Sequence, residues 1–362
     1  MSANLTFDIS RNPNPMPPAE RQKALEHLGF GTLFSDHMAI IEWDAATGWH
    51  SARVAARRPF EIDPAAAVLH YGQEIFEGMK AYRNGEGQLV LFRPEENARR
   101  FNASAERMAM PPIPEALFLE AVEQLVRVDA DWVPAGEGAS LYLRPFMFAS
   151  EAFLGVRPSQ KYIFSVIACP VGPYFSGGAK PITVWVTEDY SRAARGGTGA
   201  AKCGGNYAAS LAAQARAYEE GCAQVVFLDA AEQKWIEELG GMNIFFVFDD
   251  NRIVTPELGT ILPGITRQSL LTLAREEGLE VSERPYAFAD WKADSESGRL
   301  REVFACGTAA VVASIGEAKF EGGSLRMGNG AIGPVTERLH HKLTGIQRGT
   351  EADTHGWVRV VS

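Results

Sequence analysis

The 362-residue chain has little cysteine and no long apolar run. Its four cysteines, Cys169, Cys203, Cys222 and Cys306, are widely spaced and form no CxxC pair. A disulfide framework and a zinc site are therefore not expected, and a reducing cytoplasm is the expected compartment. No apolar stretch approaches the roughly 18 residues that a membrane span needs. The N-terminus lacks the basic and apolar regions of a signal peptide, so neither membrane insertion nor secretion is expected.

Basic residues are also scarce. Lysine and arginine number 35 against 45 aspartates and glutamates, which gives a net charge of −10. Binding to nucleic acid needs a concentrated basic surface, so a nucleic-acid partner is not expected. The remaining composition, 46% hydrophobic and 22% charged, is that of an ordinary globular protein. The length favours two domains.

The pattern of elements predicts a two-domain chain that mixes strands with helices in an α+β or α/β manner. A Pro-rich N-terminal arm and a small domain are expected over residues 1–172, an interdomain linker over 173–181, and a large domain over 182–362. The linker prediction rests on three prolines and three glycines in residues 170–181. Periodicity predicts helices over 94–108, 114–128, 207–220 and 266–277. It predicts strands over 38–43, 88–92, 141–148, 161–169, 182–187, 224–229, 243–248 and 303–305.

One of the nine lysines stands apart. Lys202 lies in the segment GGTGAAKCGGNYAAS, among glycines and alanines and with no acidic residue nearby in sequence. The helix predicted after it would place its positive end near the amine. A poorly solvated amine is a nucleophile toward aldehydes, which is the Schiff-base role. Taken alone, however, the pattern is more typical of a flexible surface loop.

Two glycine-containing turns and one carboxylate complement this lysine. A turn before Ile265 and Thr266, and another before Thr308, could bind phosphate through backbone N–H groups and a hydroxyl. Each is also explained by a simple helix cap or strand-end turn. Glu238 precedes an apolar strand, where it could be a rim charge or could hold a pyridinium nitrogen protonated. PLP (pyridoxal 5′-phosphate) is a cofactor with an aldehyde, a phosphate and a ring nitrogen. A lysine, these phosphate-binding turns and an acid would bind these three groups.

In this order, these residues resemble the fold-type IV PLP enzymes, specifically the branched-chain amino-acid aminotransferases. The resemblance runs from about Phe30 to Val360. Its motifs are LHYGQEIFEGMKAYR (69–83), LFRPEENARRF (91–101), SLYLRPF (140–146), CPVGPYF (169–175), AAKCGGNYAASL (200–211), ELGGMNIFFVF (238–248), ILPGITRQSLL (261–271) and EVFACGTAA (302–310). The resemblance implies a smaller α/β N-terminal domain and a larger PLP-binding domain with a β-barrel-like sheet core.

The resemblance also implies roles for the matching residues. Lys202 would form the internal aldimine and move the proton between the substrate Cα and the cofactor. Glu238 would pair with the pyridine nitrogen, and Tyr207 would hydrogen-bond the phenolic oxygen. The residues implied to grip the phosphate are Arg93, Ile265, Thr266 and Thr308.

The implied substrate pocket combines an apolar wall with carboxylate-binding groups. The wall positions are Phe30, Tyr71, Phe76, Tyr142, Tyr174 and Met242. Arg144 would receive the side-chain carboxylate of glutamate or 2-oxoglutarate, and the backbone amides of Ala309 and Ala310 would bind the α-carboxylate. Because the family builds its active site at a dimer interface, some residues should come from the neighbouring subunit of a homodimer.

The expected reaction is the transfer of the amino group of L-leucine, L-isoleucine or L-valine to 2-oxoglutarate in ping-pong order. It gives the branched 2-oxo acid and L-glutamate. A D-amino-acid aminotransferase or an aminodeoxychorismate lyase would keep the lysine, acid and phosphate cup, but is usually shorter. A non-catalytic PLP- or phosphate-binding protein would need neither Lys202 nor Tyr207.

Overall fold

The chain is represented by a computed structural model that describes residues 5–136, 138–172, 174 and 180–361. It divides into two compact units. The first unit comprises Met1–Tyr174, Ala201–Gly204 and Ile346–Ser362, and the second comprises Phe175–Ala200 and Gly205–Gly345. Most of the expected linker over 173–181 lies outside the described residues.

Strands and helices are mixed along the chain. The strands are Asp8–Ile9 (β1), His37–Asp44 (β2), Gly48–Ala56 (β3), Glu74–Phe76 (β4), Met79–Arg83 (β5), Leu89–Phe92 (β6), Ser140–Ala149 (β7), Lys161–Val171 (β8), Ile182–Thr187 (β9), Gln224–Leu228 (β10), Ile236–Leu239 (β11), Asn243–Phe248 (β12), Arg252–Thr255 (β13), Glu280–Glu283 (β14), Leu300–Gly307 (β15), Val311–Phe320 (β16), Gly323–Arg326 (β17) and Val358–Val360 (β18). The helices are Pro18–Leu25 (α1), Ala67–Tyr71 (α2), Pro94–Arg107 (α3), Glu115–Val128 (α4), Gly204–Glu219 (α5), Ile265–Glu276 (α6), Phe288–Glu296 (α7) and Pro334–Arg348 (α8).

The first unit is built on a nine-stranded sheet. Its order is β1-β3-β2-β8-β7-β5-β6-β18, and β4 pairs with β7. Only the short β1–β3 pair is parallel among these ladders. Helix α4 packs against β2, β3 and β8, and α3 packs against α4 and β4.

Helix α3 shows how the sequence dictates this packing. Pro94 at its first turn has the backbone angle a helix needs, and two acidic residues follow where the helix dipole favours negative charge. Ala98, Phe101 and Ala105 recur at helical spacing and are fully buried. The Phe101 ring meets Phe118 of α4 at 5.4 Å and Phe164 of β8 at 5.5 Å. Full burial of one such ring contributes roughly 2–3 kcal/mol.

The second unit is also built on a nine-stranded sheet. Its order is β11-β10-β9-β16-β15-β12-β13-β14, and β17 pairs with β16. The ladders are mixed, since β9–β10, β9–β16 and β13–β14 are parallel and the others are antiparallel. All six residues of β12 are buried, which explains why its sequence, NIFFVF, is almost entirely apolar. The predicted α+β class is confirmed.

Two parts of the chain differ from the predicted organisation. Residues 346–362 belong to the first unit because β18 pairs with β6 and the Trp357 ring meets Phe92 at 5.7 Å. Residues 201–204 also belong there, so the first unit is larger and the second smaller than the sequence predicted. The Pro-rich N-terminal arm contains regular structure, because β1 pairs with β3 and Pro18 begins α1.

Candidate active site

The backbone around Lys202 is anchored within the first unit. Ala201 and Cys203 are buried in the hydrophobic core, whereas Lys202 between them is half-buried. This alternation is that of an extended segment, which points successive side chains to opposite sides. The Phe76 N–H donates to the Lys202 carbonyl at 2.9 Å, and the Lys202 N–H donates to Ser104 Oγ at 2.9 Å. The lysine is therefore held at both backbone polar groups, unlike a residue of an open surface loop.

A buried ion pair lies beside this lysine. Glu77 is 0% exposed, and its carboxylate accepts hydrogen bonds from Arg100 Nε at 2.7 Å and from Arg100 Nη2 at 2.8 Å. Asn97 Nδ2 donates to the same carboxylate at 2.7 Å. Burial by itself raises the pKa of Glu77, but the Arg100 charge and hydrogen bonds, together with the Lys202 charge, outweigh it and hold that pKa below its usual value.

The Phe76 ring beside the amine belongs to a group of aromatic rings and one arginine in the same unit. Lys202 Nζ lies 4.9 Å from the centre of the Phe76 ring, and the Arg144 guanidinium lies 4.6 Å from that ring. Arg144 Nη2 donates to the Tyr142 hydroxyl at 3.2 Å. Phe30 meets Tyr142 at 5.2 Å edge to face. The structure thus brings together Lys202 and four of the residues predicted to bind substrate.

Tyr174 extends this group, whereas Tyr71 is engaged differently. The Tyr174 ring lies 5.0 Å from Phe30, edge to face. The Tyr71 hydroxyl donates to the Leu154 carbonyl at 2.5 Å, and its ring contacts His70. Hydrogen bonds and ring contacts of Tyr71 within the described part of the chain therefore do not join it to the Arg144 group.

Arg144 has an unused hydrogen-bond donor. Its Nε is buried and lacks a hydrogen-bond partner among the described residues. A buried, unpaired guanidinium nitrogen is costly, and a carboxylate ligand would satisfy it. Glu74 also lies near enough for the Arg144 charge to act on it, although burial prevails and raises the pKa of Glu74. Glu74 accepts a hydrogen bond from the Gly204 N–H, at the start of α5.

Arg93 occupies the N-cap of α3 in a left-handed conformation, with φ at 49°. Its N–H donates to the Trp357 carbonyl at 2.7 Å, and its guanidinium lies 5.0 Å from the Trp357 ring centre. Burial lowers the pKa of Arg93 and outweighs the opposite effect of Glu96. The C-terminal segment therefore fixes this arginine, and no side chain caps the first turn of α3.

In the second unit, Glu238 is almost completely buried. Arg192 Nη1 lies 2.8 Å from its Oε1, and each of these two side chains is 2% exposed. The Leu262 N–H donates to Oε1 at 3.0 Å, and Asn243 Nδ2 donates to Oε2 at 3.2 Å. Arg192 compensates the charge of Glu238, and the two N–H donors satisfy its oxygens. A buried carboxylate is tolerated only with partners of this kind, because an unpaired buried charge is too costly. The rim-charge interpretation does not fit so buried a group.

Asn243 also connects Glu238 with the start of α6. The Asn243 amide donates to the Leu262 carbonyl at 3.1 Å. A Cβ at Gly264 would lie 2.1 Å from Asn243 Oδ1, so a larger residue before the helix would displace the Asn243 side chain. Ile265 and Thr266 are buried at the first turn of α6, and no side-chain hydrogen bond caps that turn. The backbone N–H groups of this first turn are therefore suited to binding an anion.

The hairpin between β15 and β16 carries the third predicted element. Gly307 pairs with Val311, which leaves Thr308, Ala309 and Ala310 as a three-residue loop. Val311 has a φ of 61°, an uncommon conformation for a β-branched residue and one typical of functional sites.

Residues 240–243 connect this hairpin with the other groups of the second unit. A Cβ at Gly307 would lie 3.4 Å from Met242 Cγ, and one at Gly241 would lie 3.5 Å from Tyr207 Cε1. Arg192 Nε donates to the Gly240 carbonyl at 3.4 Å. The segment Gly240–Gly241–Met242–Asn243 thus contacts the residues around Tyr207, Glu238, α6 and the hairpin.

The sequence did not indicate several residues that support these groups. Ser104 accepts the Lys202 N–H, and Glu77 pairs with Arg100 on the same helix as Ser104. Arg192 and Asn243 hold Glu238. The spacing of Asn97, Arg100 and Ser104 on one face of α3 was the available signal, because polar residues interrupt a face that is otherwise apolar. Arg192 gave no such signal, since it lies in an irregular segment.

Metal-binding and membrane-spanning features are not found within the described ranges. These ranges contain no group of three or more His, Cys, Asp and Glu side chains that could hold a metal ion. No helix in them is both long enough and apolar enough to cross a membrane.

Comparison with protein families identifies the class. The class IV amino-transferase family model matches residues 74–318. The branched-chain-amino-acid aminotransferase of Mycolicibacterium smegmatis is 53% identical over 362 residues, covering 99% of this chain and 98% of that protein. The chain therefore belongs to the class IV aminotransferases and, among them, to the branched-chain-amino-acid aminotransferases.

Solved structures agree with this assignment. The branched-chain amino acid aminotransferase of Escherichia coli is 29% identical with a TM-score of 0.73, covering 90% of this chain and 100% of that one. The T.th. branched-chain amino acid aminotransferase with pyridoxamine 5′-phosphate is 28% identical with a TM-score of 0.74, covering 90% of this chain and 99% of that one. The same T.th. enzyme complexed with N-(5′-phosphopyridoxyl)-L-glutamate is 27% identical with a TM-score of 0.71, at the same coverage. The fold-type IV prediction is confirmed.

Proposed function

We propose that the chain catalyses the reversible transfer of the amino group of L-leucine, L-isoleucine or L-valine to 2-oxoglutarate. The products are the branched 2-oxo acid and L-glutamate, and the cofactor is PLP. The observation that carries this proposal is the 53% identity to a branched-chain-amino-acid aminotransferase over nearly the whole length of both chains. The relative that is bound to a phosphopyridoxyl-glutamate supports glutamate as the second amino acid.

The donor sets in each unit fit PLP. When bound, PLP supplies an electron-accepting ring with an aldehyde, a ring nitrogen and a phosphate. Lys202 would hold the cofactor through its amine and, once released, carry a proton to and from the substrate Cα. Glu238, kept charged by Arg192, would hold the ring nitrogen protonated, and Tyr207 would donate to the phenolic oxygen. The phosphate ligands would be Arg93, Thr308 and the first turn of α6 at Ile265 and Thr266.

The substrate pocket would accept an apolar or an acidic side chain. Phe30, Phe76, Tyr142 and Tyr174 offer apolar surface to a branched side chain, and Met242 would add to it. Arg144 would receive the side-chain carboxylate of glutamate or 2-oxoglutarate through its unpaired Nε. The amides of Ala309 and Ala310 would bind the α-carboxylate that all the substrates share.

The proposed assembly is a homodimer in which one subunit completes the site of the other. Leu154, Val156 and Leu69 are 67%, 87% and 59% exposed, which is unusual for large apolar side chains. The Tyr71 hydroxyl binds the Leu154 carbonyl, so a predicted substrate residue lies at this surface. Replacing Leu154 and Val156 by glutamate should give monomers in analytical ultracentrifugation. Unchanged dimers would exclude this surface.

The proposed compartment is the cytoplasm. All four cysteines are free and buried, which supports a reducing environment.

The reaction is tested by half-reaction titrations followed through cofactor absorbance. L-Leucine, L-isoleucine, L-valine and L-glutamate should each convert the cofactor to its aminated form, and D-alanine should not. Lys202→Ala should abolish this conversion, while Lys161→Ala, at an exposed lysine of β8, should retain it. Conversion by D-alanine alone would indicate a D-amino-acid aminotransferase, and persistent conversion in Lys202→Ala would remove its assigned role.

A further inference from the structure

Helix α3 carries buried polar side chains, and one of them binds the backbone of Lys202. Asn97, Arg100 and Ser104 are buried on this helix, on a side that is otherwise packed into the core. Ser104 Oγ donates to the Arg100 carbonyl at 3.0 Å and accepts the Lys202 N–H. The backbone of Lys202 is thus joined to the same helix that supplies the partners of Glu77.

Strand β4 binds the other backbone polar group of the lysine. Phe76 ends the strand, donates its N–H to the Lys202 carbonyl and places its ring 4.9 Å from Nζ. Glu77 follows directly, and its N–H donates to the Pro145 carbonyl at 2.7 Å. The backbone of Glu77 is thus fixed by Pro145, and its carboxylate is fixed by Asn97 and Arg100.

A buried ion pair of this kind needs an explanation. Glu77 is 0% exposed and Arg100 is 9% exposed, and an apolar pair of similar volume would often stabilise a core at least as well. Helix α3 already packs through Phe101, so the fold does not obviously depend on a charge there. The carboxylate does, however, belong to the residue that follows Phe76, whose N–H binds the Lys202 carbonyl and whose ring lies 4.9 Å from Nζ, and the Lys202 charge helps to lower the pKa of Glu77.

We propose that Glu77 is a positioning residue which, held by Arg100 and Asn97, sets the protonation balance and the placement of the Lys202 amine. The proposal deepens the proposed function and rests on the role assigned there to Lys202. A fixed negative charge favours the protonated form of a neighbouring nitrogen. Arg100 limits this effect, because its positive charge compensates the carboxylate.

Other charged groups near the lysine do not replace Glu77. Glu74 of β4 accepts the Gly204 N–H, and burial raises its pKa, which makes it a weaker source of negative charge. Arg144 of β7 is cationic and disfavours a second positive charge, and its Nη2 donates to the Tyr142 hydroxyl. Glu77 is thus the carboxylate here whose pKa is held below its usual value.

The test is a pH titration of the visible absorption of the PLP-loaded holoenzyme, which reports protonation of the Lys202 nitrogen. Glu77→Gln removes the negative charge and leaves Arg100 uncompensated, so the midpoint should fall by about one to two pH units. Glu77→Asp keeps the charge and should shift the midpoint less. Arg100→Lys keeps the opposing charge and should also shift it less than Glu77→Gln.

A purely structural role predicts a different pattern. It would lower the melting temperature and the fraction of protein that carries cofactor, but leave the midpoint of the loaded fraction unchanged. An unchanged midpoint in folded Glu77→Gln would overturn the proposal. If that variant does not fold, the double variant Glu77→Gln, Arg100→Gln replaces the pair by two amides that can still hydrogen-bond. A midpoint below the wild-type value there supports the proposal, and an equal one overturns it.

These outcomes are separable from failure of the proposed function. If leucine does not convert the wild-type cofactor, the reaction is wrong, yet the midpoints of the wild type and Glu77→Gln can still be compared. If leucine conversion is normal and the midpoints coincide, only the role of Glu77 is lost.

Discussion

Replacing Arg192 by glutamine should destabilise the second unit strongly. In the wild type, Arg192 Nη1 lies 2.8 Å from Glu238 Oε1 and each side chain is 2% exposed. The shorter glutamine cannot carry the compensating charge. Glu238 would then retain only the Leu262 N–H and the Asn243 amide among the hydrogen bonds described above.

The magnitude follows from the burial of the pair. Removing one partner of a buried ion pair leaves an uncompensated charge and costs roughly 3–5 kcal/mol. For a unit of this size, each kcal/mol corresponds to about 2–4 °C in melting temperature, so the expected loss is about 6–20 °C. An exposed pair in the same unit provides the control. Arg216 Nη2 on α5 lies 2.7 Å from Glu220, the residue that follows this helix, but these side chains are 49% and 34% exposed.

Calorimetry and urea unfolding of both variants measure the difference. Arg216→Gln should lose no more than about 0.5 kcal/mol, because solvent screens a helical surface pair. Arg192→Gln should also bind PLP more weakly, since the Glu238 carboxylate would no longer be fixed by its ion pair. If the two variants are equally stable, the buried pair does not organise the site as inferred.

Three other substitutions test separate parts of the site and core. Arg144→Ala should lower kcat/KM for 2-oxoglutarate by about 30- to 150-fold through loss of a charged hydrogen bond, and should affect leucine much less; equal losses would remove its assignment. Gly264→Ala should weaken PLP binding about tenfold (~1.4 kcal/mol), because its Cβ would lie 2.1 Å from Asn243 Oδ1; a cofactor titration showing wild-type affinity would contradict the role of this turn. Burial, aided by a nearby arginine, lowers the pKa of Lys80 from 10.5 to about 7. Native Lys80 therefore binds fewer protons than the unfolded chain between these values, so its destabilising effect grows as the pH falls from about 10 towards 7. Lys80→Met should thus gain more unfolding free energy at pH 7 than at pH 10, by over about 1 kcal/mol; exposed Lys161→Met should show no such difference, and a pH-independent gain in Lys80→Met would refute the argument.

Local sequence patterns located most elements that carry the site. The predicted strands over 182–187 and 243–248 coincide with β9 and β12, and the predicted helix over 94–108 ends one residue beyond α3. These segments have strong periodicity or clear start signals, such as Pro94 with its following acids. Lys202 was found because glycine and alanine flank it, which is unusual for a lysine in this chain.

Contacts between distant segments could not be predicted in this way. Strand β18 is short and partly exposed, and it is a strand only because β6 offers an edge. Ser104 looks like an ordinary helix residue until its Oγ is seen to accept the Lys202 N–H. Arg192 similarly acquires its partner through folding. Such partners depend on three-dimensional proximity, which periodicity does not encode.

The most direct measurement of the central claim is peptide mapping by mass spectrometry after borohydride reduction of the PLP-loaded protein. The account predicts a single phosphopyridoxyl adduct on the peptide that contains Lys202. An adduct on Lys80, or on any peptide without Lys202, would contradict it.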